Sequence, residues 1–100
     1  MALEYKNERI YERNKSQPLA NISQYLLREG RGSTVICNIK DNLVRDKRGC
    51  TVICNVKNGD VRDKRSSTRK AKIRDIRKEI KNSESLADSF VAAVWHYFLR

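Results

Sequence analysis

Fifteen residues of this chain occur twice. Thr34–Arg48 (TVICNIKDNLVRDKR) and Thr51–Arg65 (TVICNVKNGDVRDKR) are offset by 17 positions and identical at 11 of 15. A tandem copy constrains the fold, because the second copy must form beside the first whatever the first one forms. Val35, Cys37 and Ile39 alternate with Thr34, Ile36 and Asn38, and Val52, Cys54 and Val56 do the same in the second copy. That period and the β-branched content predict strands. Three of the four differences fall together at 41–43 and 58–60. Asn58-Gly59 there suits a two-residue hairpin turn, in which both positions need positive φ, and Asp41-Asn42 is a weaker form of the same turn. The repeat at 34–65 is therefore expected to give two tandem hairpins, with strands near 34–40, 43–48, 50–57 and 60–65. Each return strand ends in Arg-Asp-Lys-Arg and has charge on both faces, so it belongs at an edge or on a solvated face.

The flanks read as helical. Residues 1–15 form an N-terminal arm or short helix, with Leu3 and Ile10 seven apart. Leu19, Ile22, Tyr25 and Leu26 define one face of a helix over 18–29, opened by Pro18 and stopped by Gly30. A third helix over 66–81 has Ile73, Ile76 and Ile80 as its buried stripe. A fourth starts at Ser85-x-x-Asp88 and carries Leu86, Phe90, Val91, Val94, Trp95, Tyr97 and Phe98 on nearly every side. A helix apolar all round is buried centrally or shared with another subunit, which points to a homodimer through it. The expected fold is α+β: a four-stranded antiparallel meander packed with two to four helices. One hundred residues suit a single small domain spanning 1–100, with helices over 66–100.

Composition matters chiefly through charge. The net charge is +10, and residues 66–82 hold seven Lys/Arg against two acids while residues 34–65 hold eight against four. Clustered positive charge of this kind attracts polyanions. The basic helix at 66–81 is the leading candidate site, presenting Arg69, Lys70, Lys72, Arg74, Arg77 and Lys78 to phosphates. Arg45, Lys47, Arg48, Arg62, Lys64 and Arg65 of the repeated runs add two basic strips. The expected partner is the backbone of duplex RNA or DNA. Aromatic residues are not interleaved with the basic ones, which disfavours a platform for stacking single-stranded bases.

Other chemistry has little footing. No Ser/His/Asp grouping, phosphate-cradling glycine loop or metal-ligand motif is present, so neither catalysis nor a cofactor is expected. Cys37 and Cys54 occupy equivalent strand positions and read as buried packing. With no secretory signal and no apolar run of membrane-spanning length, an intracellular protein with reduced thiols is expected and no membrane partner.

Two short stretches resemble known families. Ser67-Thr-Arg-Lys-Ala-Lys72, after a helix and an antiparallel sheet, is similar to the opening of the last helix of double-stranded RNA-binding domains, although Asp75 stands where a small apolar residue belongs. Leu86-Ala-Asp-Ser-Phe90 is similar to the last helix of RNase-H-like Holliday-junction resolvases, with Asp88 as the implied metal-binding acid and Ser85 in place of its partner acid. Neither stretch assigns a family. The expected function is non-catalytic nucleic-acid binding. The alternatives are a small viral or mobile-element inhibitor docking an acidic protein surface, and a degenerate nuclease centred on Asp88.

Overall fold

The structure is a computed structural model that describes residues 2–99. Its main element is one ten-stranded mixed sheet. The strands are β1 (Leu3–Lys6), β2 (Arg9–Glu12), β3 (Pro18–Ser23), β4 (Leu26–Glu29), β5 (Val35–Lys40), β6 (Leu43–Asp46), β7 (Val52–Lys57), β8 (Asp60–Asp63), β9 (Arg69–Lys72) and β10 (Ile80–Lys81). Neighbours from β1 to β9 pair antiparallel in chain order, and β10 returns to pair parallel with β1. A short helix, α1 (Ile73–Arg77), joins β9 to β10. A second helix, α2 (Asp88–Val94), runs on into a π-helical turn at Trp95–Leu99.

This corrects the expected fold class. The four strands of the repeat are the middle of a ten-stranded sheet, not a meander packed with several helices. Residues 2–13 and 18–29 are hairpins, β1–β2 and β3–β4. The segment 66–81 is not one helix. It is β9, five residues of α1 and then β10.

One unit of 17 residues explains all four hairpins. Leu3↔Glu12, Ala20↔Glu29, Cys37↔Asp46 and Cys54↔Asp63 are the same register pair moved by 17 positions each time. The joins repeat as well: Ile10↔Ala20, Leu27↔Cys37, Val44↔Cys54 and Val61↔Ala71. A carbonyl in each hairpin turn (Glu8, Tyr25, Asn42, Gly59) accepts from the amide of Ile22, Ile39, Val56 or Ile73 in the next unit, at 2.7–3.0 Å. The strand period of two then puts Ile10, Ala20, Leu27, Cys37, Val44 and Val61 on one face, all with zero exposure.

That face closes on α2. Phe90, Val91, Ala92, Ala93 and Val94 are consecutive and all buried. At 3.6 residues per turn, five consecutive residues cover every side of a helix, so α2 is enclosed. β5, β6, β7 and α1 pack on it. Its apolar surface is thus buried within its own chain. The sheet must curl to do this. Its edge strands β9 and β10 are joined by residues 73–79 alone, whereas ten flat strands would span about 43 Å. The whole molecule measures 37 × 27 × 21 Å.

Candidate nucleic-acid interface

Antiparallel pairing in chain order sorts the connections onto two rims. The hairpin turns at 7–8, 24–25, 41–42 and 58–59 lie on one. The links between hairpins, at 13–17, 30–34, 47–51 and 64–68, lie on the other. The linking rim is rich in exposed cations: Arg13, Lys15, Arg31, Lys47, Arg48, Lys64 and Arg65. No Asp or Glu occurs within any of the four links. Arg69 and Lys70, also exposed, continue this rim at the start of β9.

Each of the last three links is held by an asparagine on the sheet's outer face. Asn21 Nδ2 donates to the carbonyls of Gly30 and Gly32 at 2.8 and 3.2 Å. Asn38 Nδ2 donates to those of Lys47 and Gly49 at 2.9 and 3.1 Å. Asn55 Nδ2 donates to those of Lys64 and Ser66 at 2.7 and 3.1 Å. These bonds fold each link back over the outer face and fix where its cations stand. Gly30, Lys47 and Lys64 follow the same strand position and have φ of +54°, +50° and +48°. Glycine suits that left-handed conformation, but the two lysines adopt it at a cost of about 1–2 kcal/mol each.

Opposite the asparagines stand three equivalent arginines, paired in register as Asn21↔Arg28, Asn38↔Arg45 and Asn55↔Arg62. They are half-buried. The Nε of Arg28, Arg45 and Arg62 is buried and finds no hydrogen-bond partner among the described residues. A buried donor left without an acceptor costs about 1–3 kcal/mol.

The twelve cations expected to bind nucleic acid therefore separate. Lys47, Arg48, Lys64, Arg65, Arg69 and Lys70 share the linking rim, and Arg45 and Arg62 stand on the adjoining outer face. The remaining four do not form the expected helical row, because β9 and α1 break it. Lys72 ends β9 near the opposite rim. Arg74 and Lys78 flank Asp75 at 4.0 and 3.9 Å. Arg77 turns inward as a clamp. Its guanidinium donates to the carbonyls of Ser83 and Leu86 and to Asp88 Oδ1, the last at 2.6 Å.

Asp88, the residue of the nuclease alternative, is ion-paired to Arg77 at the start of α2. No group of three or more His, Cys, Asp or Glu able to hold a metal occurs among the described residues. Ser67–Lys72, which resembles the opening of a helix in RNA-binding domains, is link and strand here.

Sequence reasoning named Arg45 and Arg62 but missed Arg28, Arg31 and the asparagines Asn21, Asn38 and Asn55. The available signal was a third copy of the repeat. Asn21, Ile22, Leu26, Arg28, Arg31 and Gly32 equal Asn38, Ile39, Leu43, Arg45, Arg48 and Gly49 at the same 17-residue offset.

Cys37 and Cys54 are buried on the inner face of the sheet, and Cys50 is exposed in the link at 47–51. β6 separates Cys37 from Cys54, so they stand about 10 Å apart, beyond disulfide reach. Burial, then Cys54 and Asp46, pushes the Cys37 thiol up to about 12. Tyr97 donates to Asp46 Oδ1 at 3.3 Å, and burial above all raises its phenol as well.

No family model, curated protein or solved structure matches this chain. No helix among the described residues is long and apolar enough to cross a membrane.

Proposed function

We propose that this chain is a non-catalytic nucleic-acid-binding protein that holds the phosphate backbone through the cations of its linking rim. The observation that carries the reading is the repeated Lys-Arg pair. Lys47-Arg48 and Lys64-Arg65 are exposed at equivalent places in adjacent links, with Arg31 one unit before and Arg69-Lys70 just after. Regularly spaced cations fixed by asparagine bonds suit a ligand whose charges are themselves regularly spaced. The basic helix that first suggested a duplex is absent, and the cations of the rim take its place. A reducing intracellular setting, in which Cys37, Cys50 and Cys54 stay thiols, accompanies the proposal.

Fluorescence anisotropy with labelled RNA and DNA, single-stranded and duplex, at 50 and 200 mM salt, tests it. The affinity is expected to fall steeply with salt. The quadruple variant Lys47/Arg48/Lys64/Arg65→Ala should lower the salt slope by about 3–4, at about 0.7–0.9 per lost phosphate contact. Salt-independent binding, or a quadruple variant that binds as wild type does, refutes the reading.

A further inference from the structure

Along the chain the aromatic residues stand apart from the cations, but the fold brings the two together at one end. α2 runs from the hairpin-turn rim toward the linking rim. At its start Asp88 lines a cleft with Asn58 and Gly59, and Phe90 one with Tyr25 and Asn42, all four at hairpin tips. Beyond its end Tyr97 donates to Asp46 Oδ1 at 3.3 Å, and Asp46 is the last residue of β6, next to Lys47 of the linking rim. The π-helical turn at Trp95–Leu99 therefore stands in the linking-rim mouth of the curled sheet. Its five residues are all half-buried, where those from Ser89 to Val94 are buried. Five consecutive residues again cover every side, so the turn emerges from the mouth rather than ending inside it. Four of the five carry rings, Trp95, His96, Tyr97 and Phe98, and His96 meets Tyr97 edge to face with centroids 4.8 Å apart. Beside the turn a crevice of about 420 Å³, lined by Trp95, Leu99, Ala71 and Ile76 with Asp75 and Glu79 on the side of α1, is of small-ligand size.

We propose that this mouth binds unpaired nucleotides, with bases stacked on the rings of the turn and phosphates on the surrounding cations, an inference that rests on the nucleic-acid reading above and adds to it the kind of strand. The strand register sorts the charges to suit. Glu12, Glu29, Asp46 and Asp63 pair with Leu3, Ala20, Cys37 and Cys54, which are buried on the inner face. Residues directly opposite share a face, so these four acids stand on the inner side of the mouth. The link cations stand outside them, because the asparagine bonds fold the links over the outer face. A phosphate is thus kept to the outer ring. Further in, a base finds aromatic faces, and carboxylates that accept from its exocyclic amino group. Cations outside, with rings and acceptors inside, match a nucleotide whose base is turned inward. A duplex holds its bases stacked and paired behind its phosphates, so it engages the cations alone. Unpaired bases splay out and stack on aromatic side chains. Size agrees as well: ten strands at about 4.8 Å close to a ring roughly 15 Å across, and a helical turn about 10–12 Å wide with its side chains fills most of it.

Trp95 is the chain's single tryptophan, so its fluorescence reports on the turn directly. The probes are an oligo-adenylate of about ten nucleotides and a long duplex, each followed by Trp95 emission and by anisotropy of a label on the nucleic acid. Trp95 emission is expected to fall in step with oligo-adenylate binding and to stay level as the duplex binds. Trp95→Leu and Phe98→Leu keep apolar bulk and remove a ring. Each should weaken oligo-adenylate binding about tenfold by anisotropy and leave duplex affinity within about twofold. A thermal melt of each variant separates lost stacking from lost folding, and where a variant does not fold the wild-type emission decides alone. Oligo-adenylate bound with Trp95 emission unchanged, or bound as tightly by both ring variants, overturns the proposal, as does equal quenching by the duplex. If that binding is still abolished by the rim quadruple variant, the mouth is not the site and the rim reading stands. Binding of neither probe overturns both.

Discussion

The asparagines at the period positions give a quantitative test of the fold. Asn38→Ala removes two bonds, to the carbonyls of Lys47 and Gly49, and Asn55→Ala removes two, to those of Lys64 and Ser66. The backbone bonds at each link remain: Asp46, Lys47 and Gly49 donate to Thr51 O, Ile36 O and Asp46 O at 2.9–3.0 Å, and Asp63, Lys64 and Ser66 to Thr68 O, Ile53 O and Asp63 O at 2.8–2.9 Å. A typical bond contributes about 0.5–1.5 kcal/mol net, and these carbonyls regain water when the amide is removed. About 1–2 kcal/mol per asparagine follows. The two sites lie one hairpin apart with no shared partner, so the double variant should lose about 2–4 kcal/mol. For a domain of this size that is a fall of roughly 10–25 °C in melting temperature, at about 4–8 °C per kcal/mol. Urea titration followed by circular dichroism measures the free energy directly, and amide exchange should show faster opening in the links at 47–51 and 64–68. Asn55→Asp tests the chemistry, since a carboxylate cannot donate to carbonyls. It should be at least as unstable as the alanine variant at neutral pH. A double alanine variant within about 0.5 kcal/mol of wild type would refute the view that asparagine donors hold the links.

Four further outcomes follow from the same geometry. Lys64→Gly removes a non-glycine residue from φ +48° and should raise stability by about 0.5–1 kcal/mol in a thermal melt while weakening nucleic-acid binding. Arg77→Lys should cost nearly as much as Arg77→Ala, about 2–4 kcal/mol by denaturant titration, because an ammonium cannot serve the Ser83 and Leu86 carbonyls and Asp88 at once. Cys37 is more protonated folded than unfolded above its ordinary value of 9.0, so stability should fall between about pH 9 and 12, by up to about 1.4 kcal/mol per pH unit. Cys37→Ala should reduce that fall at little cost to folding, since Ala20 fills the equivalent position in the second unit, and Tyr97 adds its own loss from its ordinary value of 10.0 upward. A limiting alkylating reagent at pH 8 should label Cys50 first by mass spectrometry, because Cys37 and Cys54 are buried.

What the sequence showed depended on how strongly each unit of the repeat was written. Residues 34–65 announce strands because identity over 11 positions coincides with alternation and an Asn-Gly turn. The second unit was misread for a physical reason. Leu19, Ile22, Tyr25 and Leu26 have helical spacing, but a hairpin of six, two and four residues sends Ala20 and Leu27 inward and leaves Tyr25 at an exposed tip. Short apolar runs fit either period, and pairing with β2 and β5 decides the matter, which is information held in other units. The basic segment failed similarly. Ile73, Ile76 and Ile80 are all buried, but in two elements rather than one. The open edge of β8 needed a partner for its amides and carbonyls, and Arg69–Lys72 supplied it at the expense of the helix. Sequence put the cations of the helix expected over 66–81 first and those of the repeated runs second, because local charge reports clustering and not which side chains an internal acid has taken.

The duplication thus does two separate jobs. On the inner face it repeats small residues against larger aliphatic ones, Ala20, Cys37, Cys54 and Ala71 against Leu27, Val44 and Val61, so that a sheet of short strands can close around one apolar helix. Nothing in that packing specifies the outer face, where alternation leaves side chains to be chosen for other ends. There the chain repeats Asn and Arg pairs with orphaned Nε atoms, and lysines in a backbone conformation that glycine would hold more cheaply. A fold optimised for stability alone would resolve both, with glycine in the links and apolar or short polar residues in place of the arginines. The costs are small per site, about 1–3 kcal/mol, and those of positive φ are shared by the hairpin-turn rim, at Glu8, Gln24 and Asp41.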